Sequence, residues 1–301
     1  MSQVKSLKLP HHKGMKSSLG SKIFDAFNYV FLGLVALVMF LPFVNVIASS
    51  LTPIDILVKQ SFILIPPRIS FDAYRYVFST NTVLRGLFVS IGVTVVATTF
   101  NITLTALTAY PLAHKLLVGR KALVGMVIFT MVFNGGMIPT FIVVKDLGLV
   151  NSYWSLILPT AISSFNLMLF KNYFQALPAE LEESAKLAGY NDLSILIRVI
   201  LPVSKPLIAT FIVMFGVENW NSWFNAVLYL NDGKMWPIQL ILRQIITSSS
   251  QVGDAMGGAS FVPPATVRNC TIVIATLPIL AVYPFLQKYF TKGLMVGSVK
   301  G

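Results

Sequence analysis

Charged residues, and acidic residues above all, are scarce in this sequence. Only 11% of the 301 residues are charged, with 11 Asp and Glu against 23 Lys and Arg, while 55% are hydrophobic. A typical soluble domain is about 25% charged, so this composition argues against an ordinary soluble enzyme and against a disordered chain. The mean hydropathy of +0.75 predicts a protein that crosses a membrane several times.

Cysteine is almost absent, and so are the motifs of several enzyme classes. Cys270 is the single cysteine, which excludes an internal disulfide and a metal cluster held by several cysteines. The sequence has no G-x-x-x-x-G-K-[ST] loop for the phosphates of ATP, no H-E-x-x-H pair and no G-x-S-x-G elbow. We therefore expect a chain that is not an enzyme, holds no metal or cofactor and takes energy from a partner.

Six apolar stretches are long enough to cross the bilayer core, which takes about 20 residues of helix. They cover residues 27–50, 83–108, 121–143, 154–175, 206–228 and 267–290. Several contain Gly, Pro, Asn or Thr, which is typical of helices that pack on other helices. Asn134-Gly135-Gly136 and Pro139 are expected to end or kink the third. The predicted fold class is an all-α membrane protein with six transmembrane helices.

Lys and Arg fall mainly in the two tails and in alternate loops. The N-terminal tail, the loops after the second and fourth spans, and the C-terminal tail hold most of the 23 basic residues. Since an excess of Lys and Arg marks cytoplasmic loops, both termini are predicted to be cytoplasmic, and the net charge of +12 reflects orientation more than nucleic-acid binding. The predicted layout is a tail over 1–22, a six-span domain over 23–290 and a tail over 291–301.

The predicted cytoplasmic loop between the fourth and fifth spans, about residues 176–205, has the pattern of a helical hairpin. Three acids cluster at the expected start of its first helix, where the positive end of the helix dipole favours them. Gly189 is predicted to stop this helix in a left-handed turn. Asn191 or Asp192 is predicted to cap a second short helix, which Pro202 ends.

One face of the first hairpin helix is small and apolar. Leu181, Ala185 and Ala188 share it, at positions i, i+4 and i+7. Such a face suits docking in a groove on another protein, and a packed loop without a partner accounts for it equally well.

The same loop resembles the EAA loop of ATP-binding-cassette importer permeases, whose signature is E-A-A-x3-G-x9-I-x-L-P. Glu183-Ser184-Ala185, Gly189 and Val199-Ile200-Leu201-Pro202 match its spacing, with Ser and Val replacing Ala and Ile. Ala109-Tyr110-Pro111-Leu112 and the segment 134–140 are similar to carbohydrate-uptake permeases. The closest subgroup is the complex-oligosaccharide type, and the chain resembles its second, six-span subunit.

This resemblance implies the type I importer permease fold, in the bacterial plasma (inner) membrane, and a set of partners. These are a different but homologous permease, two cytoplasmic ATPase subunits that bind ATP and Mg, and an extracellular solute-binding protein that delivers an oligosaccharide. Each ATPase would grip one EAA hairpin and couple ATP hydrolysis to transport. The residues implied in this coupling are Glu182, Glu183, Ser184, Ala185, Gly189, Leu201 and Pro202.

The fifth predicted span carries a polar stripe. An ionised acid at mid-membrane costs about 2.5–3.5 kcal/mol on insertion scales, so Glu218 is expected to face protein or water. Helical spacing places amides and a tyrosine on the face of Glu218, with tryptophans beside them. The stripe and its flanking aromatics comprise Glu218, Trp220, Asn221, Trp223, Asn225 and Tyr229. These residues suit contacts with sugar hydroxyls and ring faces, and they equally suit bonds between helices.

Other features leave the solute and its route open. Arg85 and Arg268 lie near predicted outer helix ends, where they either snorkel to headgroups or bind an acidic oligosaccharide. The outer loops, about 229–266 and 62–76, are candidates for contact with the binding protein. The alternatives are a permease for a polyol or glycerophosphodiester, and a proton-coupled secondary transporter with Glu218 as its proton site. Such transporters usually have internal repeats and more spans, and they leave the hairpin unexplained.

Overall fold

The computed structural model describes residues 19–57, 59–60, 62–251 and 265–293, and within them the regular structure is helical, without a strand. Most of the two predicted tails and residues 252–264 of the predicted outer loop lie outside the described residues. The helices are α1 (Leu19–Ser50), α2 (Ile54–Leu57), α3 (Asp72–Ser79), α4 (Thr82–Ala113), α5 (Arg120–Val132), α6 (Met137–Asp146), α7 (Trp154–Ile157), α8 (Ser164–Gln175), α9 (Glu180–Leu187), α10 (Asp192–Ile195), α11 (Leu201–Val203), α12 (Lys205–Trp220), α13 (Phe224–Tyr229), α14 (Ile238–Gln251) and α15 (Ala265–Gly293).

Three helices have the length and apolar composition to cross a membrane, at Gly20–Ser50, Thr82–Ala113 and Ala265–Val282. Two bent pairs raise the number to five if each pair crosses as one span: α5 with α6, bent by 118°, and Asp192–Val203 with α12, bent by 84°. The first bend confirms the predicted interruption of the third span. There Gly136 has a φ of +92° and its N–H donates to Asn134 Oδ1 at 2.8 Å.

The structure divides the fourth and fifth predicted spans, for which the sequence predicts continuous helices. The fourth consists of the four-residue α7 and the twelve-residue α8. Pro159, which has no N–H to donate, lies between them, and Ser163 restarts the helix by accepting from the Asn166 N–H. In the fifth, α12 ends at Trp220, and Asn221 donates its side-chain amide to the Val217 carbonyl at 3.0 Å. A side chain that competes for backbone groups in this way weakens the helix.

Helix α4 lies at the centre of the packing. It contacts α8 and α12 along one cluster of buried side chains, and α14 on another side. Helix α15 packs against α1, α12, α14 and α3, and a second buried cluster fills the space between α3, α14 and α15. The first cluster packs the hairpin against one end of α4. The second cluster includes Trp220, at the end of α12, and so packs the break in the fifth span against α14 and α15.

Candidate functional site

The hairpin between α8 and α12 is built as its sequence predicts. Helix α9 carries Glu180, Glu182 and Glu183 in its first turn. It ends in a Schellman motif, in which the Gly189 N–H donates to the Lys186 carbonyl at 2.9 Å and the next N–H donates to Ala185 at 3.1 Å. Gly189 has a φ of +83°, a conformation that favours glycine.

The second arm begins at Asn191, whose Oδ1 accepts the Ser194 N–H at 2.8 Å. Helix α10 then passes into a π-helical turn over Leu196–Ile200 and ends with α11. Pro202 cannot donate to the Arg198 carbonyl, and the π turn lies directly before it, with the Leu201 N–H donating to Leu196. The arm continues one residue past Pro202, to Val203, and then bends into α12.

The inner side of the hairpin is anchored in the core of the chain. Ala185, Ile195, Leu196 and Ile200 are buried against side chains of α4, α8 and α12. The face predicted for docking is therefore turned partly inward, since Ala185 is only 6% exposed. The helical spacing identified the residues of this face, but it could not tell whether this chain or a partner protein covers them.

The outer side of the hairpin presents apolar side chains to the surface. They are Leu187, Tyr190, Leu193 and Ile197, which no motif in the sequence indicates; Leu187 is 92% exposed. Glu183, Ser184 and Pro202 are exposed beside them, and Leu201 is half-buried. Exposed leucine and isoleucine next to glutamates form a surface that another protein can cover.

A histidine that no motif in the sequence indicates connects the hairpin to α4. His114, at the end of α4, lies with Nε2 2.7 Å from Glu182 Oε2 and with Nδ1 2.9 Å from the Tyr110 carbonyl oxygen. A carbonyl only accepts, so Nδ1 donates to it, and the contact with the carboxylate then needs a further proton on Nε2 or on Glu182. The side chains of the pair are 29% and 24% exposed. The hairpin and α4 are thus joined by a hydrogen bond between two side chains.

A second polar cluster joins the breaks of the fourth and fifth spans. Asn101 of α4, 1% exposed, donates to the carbonyls of Thr160 and Ala161 at 2.7 and 3.0 Å. Its Oδ1 accepts from Asn219 of α12 at 2.9 Å, and Asn219 also donates to Thr98 at 3.2 Å. This cluster, the Asn101 clamp, satisfies carbonyls that the break near Pro159 leaves without helical partners.

The predicted polar stripe does not lie on one continuous helix face, because α12 ends before Asn221. Glu218 and Asn221 are exposed, and Asn225 is half-buried. Trp220 and Tyr229 are buried in the core, and Tyr229 stacks on Phe141 with centroids 6.0 Å apart. The structure therefore brings together the exposed Glu218 and Asn221 near the break.

Trp223, in the break itself, contacts a residue of α14. The guanidinium carbon of Arg243 lies 3.7 Å from the centroid of the Trp223 ring. Phe224 packs edge-on against Trp223, with centroids 5.5 Å apart.

Of the two arginines predicted to lie near outer helix ends, Arg85 is exposed and Arg268 is half-buried. Burial raises the pKa of Tyr153, the residue before α7, and the charge of Arg85 opposes this rise.

Residues 101–296 match the family described as the binding-protein-dependent transport system inner membrane component. The chain belongs to this family. The matched range includes the hairpin, Asn101 and Asn219 of the clamp, and the break in the fifth span. As a member, the chain is a transporter subunit of the inner membrane, which confirms the resemblance carried by the hairpin residues.

Two relatives from Bacillus subtilis (strain 168) are similar over nearly their whole lengths. The polygalacturonan/rhamnogalacturonan transport system permease protein YtcP is 51% identical over 284 residues, which are 93% of this chain and 99% of that protein. Protein LplC is 50% identical over 291 residues, 95% of this chain and 98% of that protein.

A crystal structure of a bacterial ABC transporter involved in the import of the acidic polysaccharide alginate is similar in fold. One of its chains superposes with a TM-score of 0.82 at 31% sequence identity, covering 91% of this chain and 98% of that one. The family member described here therefore has the helical fold of an ABC importer permease.

Proposed function

We propose that this permease is one of two different membrane subunits of an ATP-driven importer for oligosaccharides. The observation that carries the proposal is the hairpin over 178–203, whose inner side is fixed in the core while Leu187, Leu193 and Ile197 are exposed. A rigidly anchored element with an open apolar surface suits transmission of force from a cytoplasmic ATPase. ATP and Mg are bound by that partner. The proposed coupling residues are Glu182, Glu183, Ser184, Ala185, Gly189, Leu201 and Pro202.

The proposed topology has six spans in the bacterial plasma membrane, with both termini and the hairpin cytoplasmic. The three long helices, the bent pair of α5 with α6, and α12 supply five of these spans, and α7 with α8 supplies the sixth. The short α8 crosses only part of the core by itself, since twelve residues extend about 18 Å. The distribution of Lys and Arg supports this orientation.

The proposed substrate is an oligosaccharide delivered by an extracellular binding protein. Two similar proteins are named for the transport of polygalacturonan and rhamnogalacturonan, or of alginate, and both kinds of polymer contain uronic acids. The proposed substrate path passes the break in the fifth span, where Glu218, Asn221 and Asn225 offer polar groups to sugar hydroxyls. Trp220, Trp223 and Tyr229 support this wall.

Uptake by the purified complex in proteoliposomes tests the proposal. The complex of both permeases, the ATPases and the binding protein is expected to accumulate labelled oligosaccharides only when ATP is enclosed with the ATPases. Uptake that needs a proton gradient and no ATP, or uptake of polyols alone, would overturn it.

Variants of the hairpin surface sharpen the test. Leu193→Asp with Ile197→Asp is expected to reduce co-purification of the ATPase and uptake at least tenfold, because charge replaces the apolar contact. The matched control is Leu116→Asp, which changes a 96% exposed leucine outside the hairpin and is expected to leave both unchanged. Equal effects of the two variants would count against the hairpin as the ATPase contact.

A further inference from the structure

Arg243 is an exposed cation at the break in the fifth span. It lies on α14, which is anchored in the core through Ile238, Leu240 and Ile241. This packing fixes the helix against α4 and α15, so the backbone of Arg243 is held in place. Its guanidinium carbon lies 3.7 Å above the ring of Trp223, between α12 and α13.

The stack leaves the hydrogen-bonding edge of the guanidinium available. One face of the planar group is covered by the indole, while its N–H groups point outward in the plane of the fork. Within the described part of the chain, the side chain of Arg243 has the Trp223 ring as its partner and neither a carboxylate nor a hydrogen-bond partner. A guanidinium held in this way matches the two oxygens of a carboxylate.

The residues around Arg243 offer contacts to the other groups of a sugar acid, its ring face and its hydroxyls. Phe224 is 46% exposed and offers an apolar ring to the C–H face of a sugar. Asn221 is exposed, and because its amide nitrogen donates to Val217, its Oδ1 is left to accept from a hydroxyl. The break thus combines a carboxylate fork, an aromatic surface and a hydroxyl acceptor.

We propose that Arg243, held by Trp223, binds the carboxylate of uronic-acid units as an acidic oligosaccharide passes the break. This inference rests on the proposed function and names the substrate class and the residue that selects it. A neutral sugar at the same place leaves the fork without its anion, so the site favours uronides. Arg243 acts in addition to the uncharged contacts of the path.

The experiment compares two substrates of equal length in the complete reconstituted complex. One is an oligogalacturonide, and the other is the same oligomer after chemical reduction of its carboxylates to alcohols. The vesicles contain only zwitterionic lipid, so that no anionic headgroup can occupy Arg243. Since every variant is assayed with the same binding protein, the preference of that protein cancels from the comparison.

Arg243→Gln is expected to lower uptake of the oligogalacturonide about tenfold and to change uptake of the reduced oligomer by less than twofold. Arg243→Lys keeps the charge without the planar fork and is expected to lose about threefold on the acid substrate alone. The control is Arg75→Gln, because Arg75 is an exposed arginine that pairs with Asp72 on α3. This control is expected to affect neither substrate.

The other possible outcomes contradict either the role of Arg243 or the proposed function. If Arg243→Gln lowers uptake of both oligomers equally, Arg243 is a structural brace and the inference is wrong. If it changes neither, the carboxylate site is also wrong. A wild-type complex that imports neutral oligosaccharides only overturns the inference and leaves the proposed function intact. A wild-type complex that imports no oligosaccharide overturns the proposed function.

Discussion

Asn101 is a single side chain on which two interrupted spans depend. Its amide donates to two carbonyls near the break at Pro159, and its carbonyl oxygen accepts from Asn219 beside the break of the fifth span. A backbone carbonyl inside a membrane has no water to bind, so it needs such a partner. The clamp therefore permits irregular backbone where a plain helix was expected.

Replacing Asn101 tests this role. Asn101→Leu leaves two buried carbonyls unsatisfied and is expected to destabilise the protein by roughly 1–3 kcal/mol. The loss of stability is measured by heating the detergent-solubilised complex and following its monodisperse peak on size-exclusion chromatography. The control is Thr99→Val, since exposed Thr99 bonds only to its own helix at Val95. Equal melting of the two variants would rule out the clamp.

His114 makes the corresponding contact at the hairpin end of α4. His114→Ala removes the partner of a carboxylate that is 24% exposed, and a hydrogen bond to a charged group contributes about 1.5–3 kcal/mol. Amide hydrogen exchange of residues 180–187 in the complex is expected to become at least tenfold faster, because local opening is then easier.

The double variant His114→Ala with Glu182→Ala gives the coupling between the two side chains. It is expected to exchange no faster than the single variant. Lys186→Ala is the control, since the Lys186–Asp192 pair is mostly exposed and such pairs contribute about 0–1 kcal/mol. Additive effects of the two alanines would contradict a direct bond.

At the scale of elements, the hairpin was predictable and its orientation was not. Gly189, Asn191 and the first-turn acids act through neighbouring backbone groups, so the sequence around them is sufficient. The burial of Ala185 and the contact of Glu182 with His114 depend on α4, which lies about 70 residues earlier. Likewise Pro139 and the glycines predicted the bend in the third span, whereas the break at Asn221 has no proline to signal it.

The turn of the hairpin offers a test that separates backbone strain from crowding. A β-carbon at Gly189 meets no atom within 4 Å, so a substitution there is limited by its φ of +83°. Gly189→Val is expected to cost more than 1–2 kcal/mol, the usual penalty for a left-handed residue, and to reduce transport-coupled ATP hydrolysis severalfold.

Gly189→Asn is expected to retain most of the coupling, because asparagine tolerates this conformation. The matched control is Gly125→Ala in α5, an exposed helical position with open space around it, which should be neutral. If Gly189→Val transported and hydrolysed ATP like the wild type, the hairpin would have no coupling role.

For the whole molecule, α1 illustrates why a chain of this class is incomplete alone. It packs along α15, and apolar side chains on several of its faces, such as Phe27 and Tyr29, are more than 60% exposed. Lipid or the second permease covers such a helix in the membrane. Composition predicted the membrane environment, since it records the total of apolar residues, but it could not assign faces to lipid or protein.

Orientation of the whole chain can be measured with single cysteines. Cys270 is fully buried, and Cys270→Ala gives a background without thiols for a membrane-impermeant maleimide. Asp232→Cys is expected to react in intact protoplasts, and Lys115→Cys only in inverted vesicles, because the two exposed sites lie on opposite sides in the proposed topology. Leu37→Cys is the control: it is 58% exposed in the chain but lies mid-span in α1, so lipid should shield it from both sides. Labelling of positions 115 and 232 from the same side would contradict the odd number of membrane crossings, three, that the proposed topology places between these two positions.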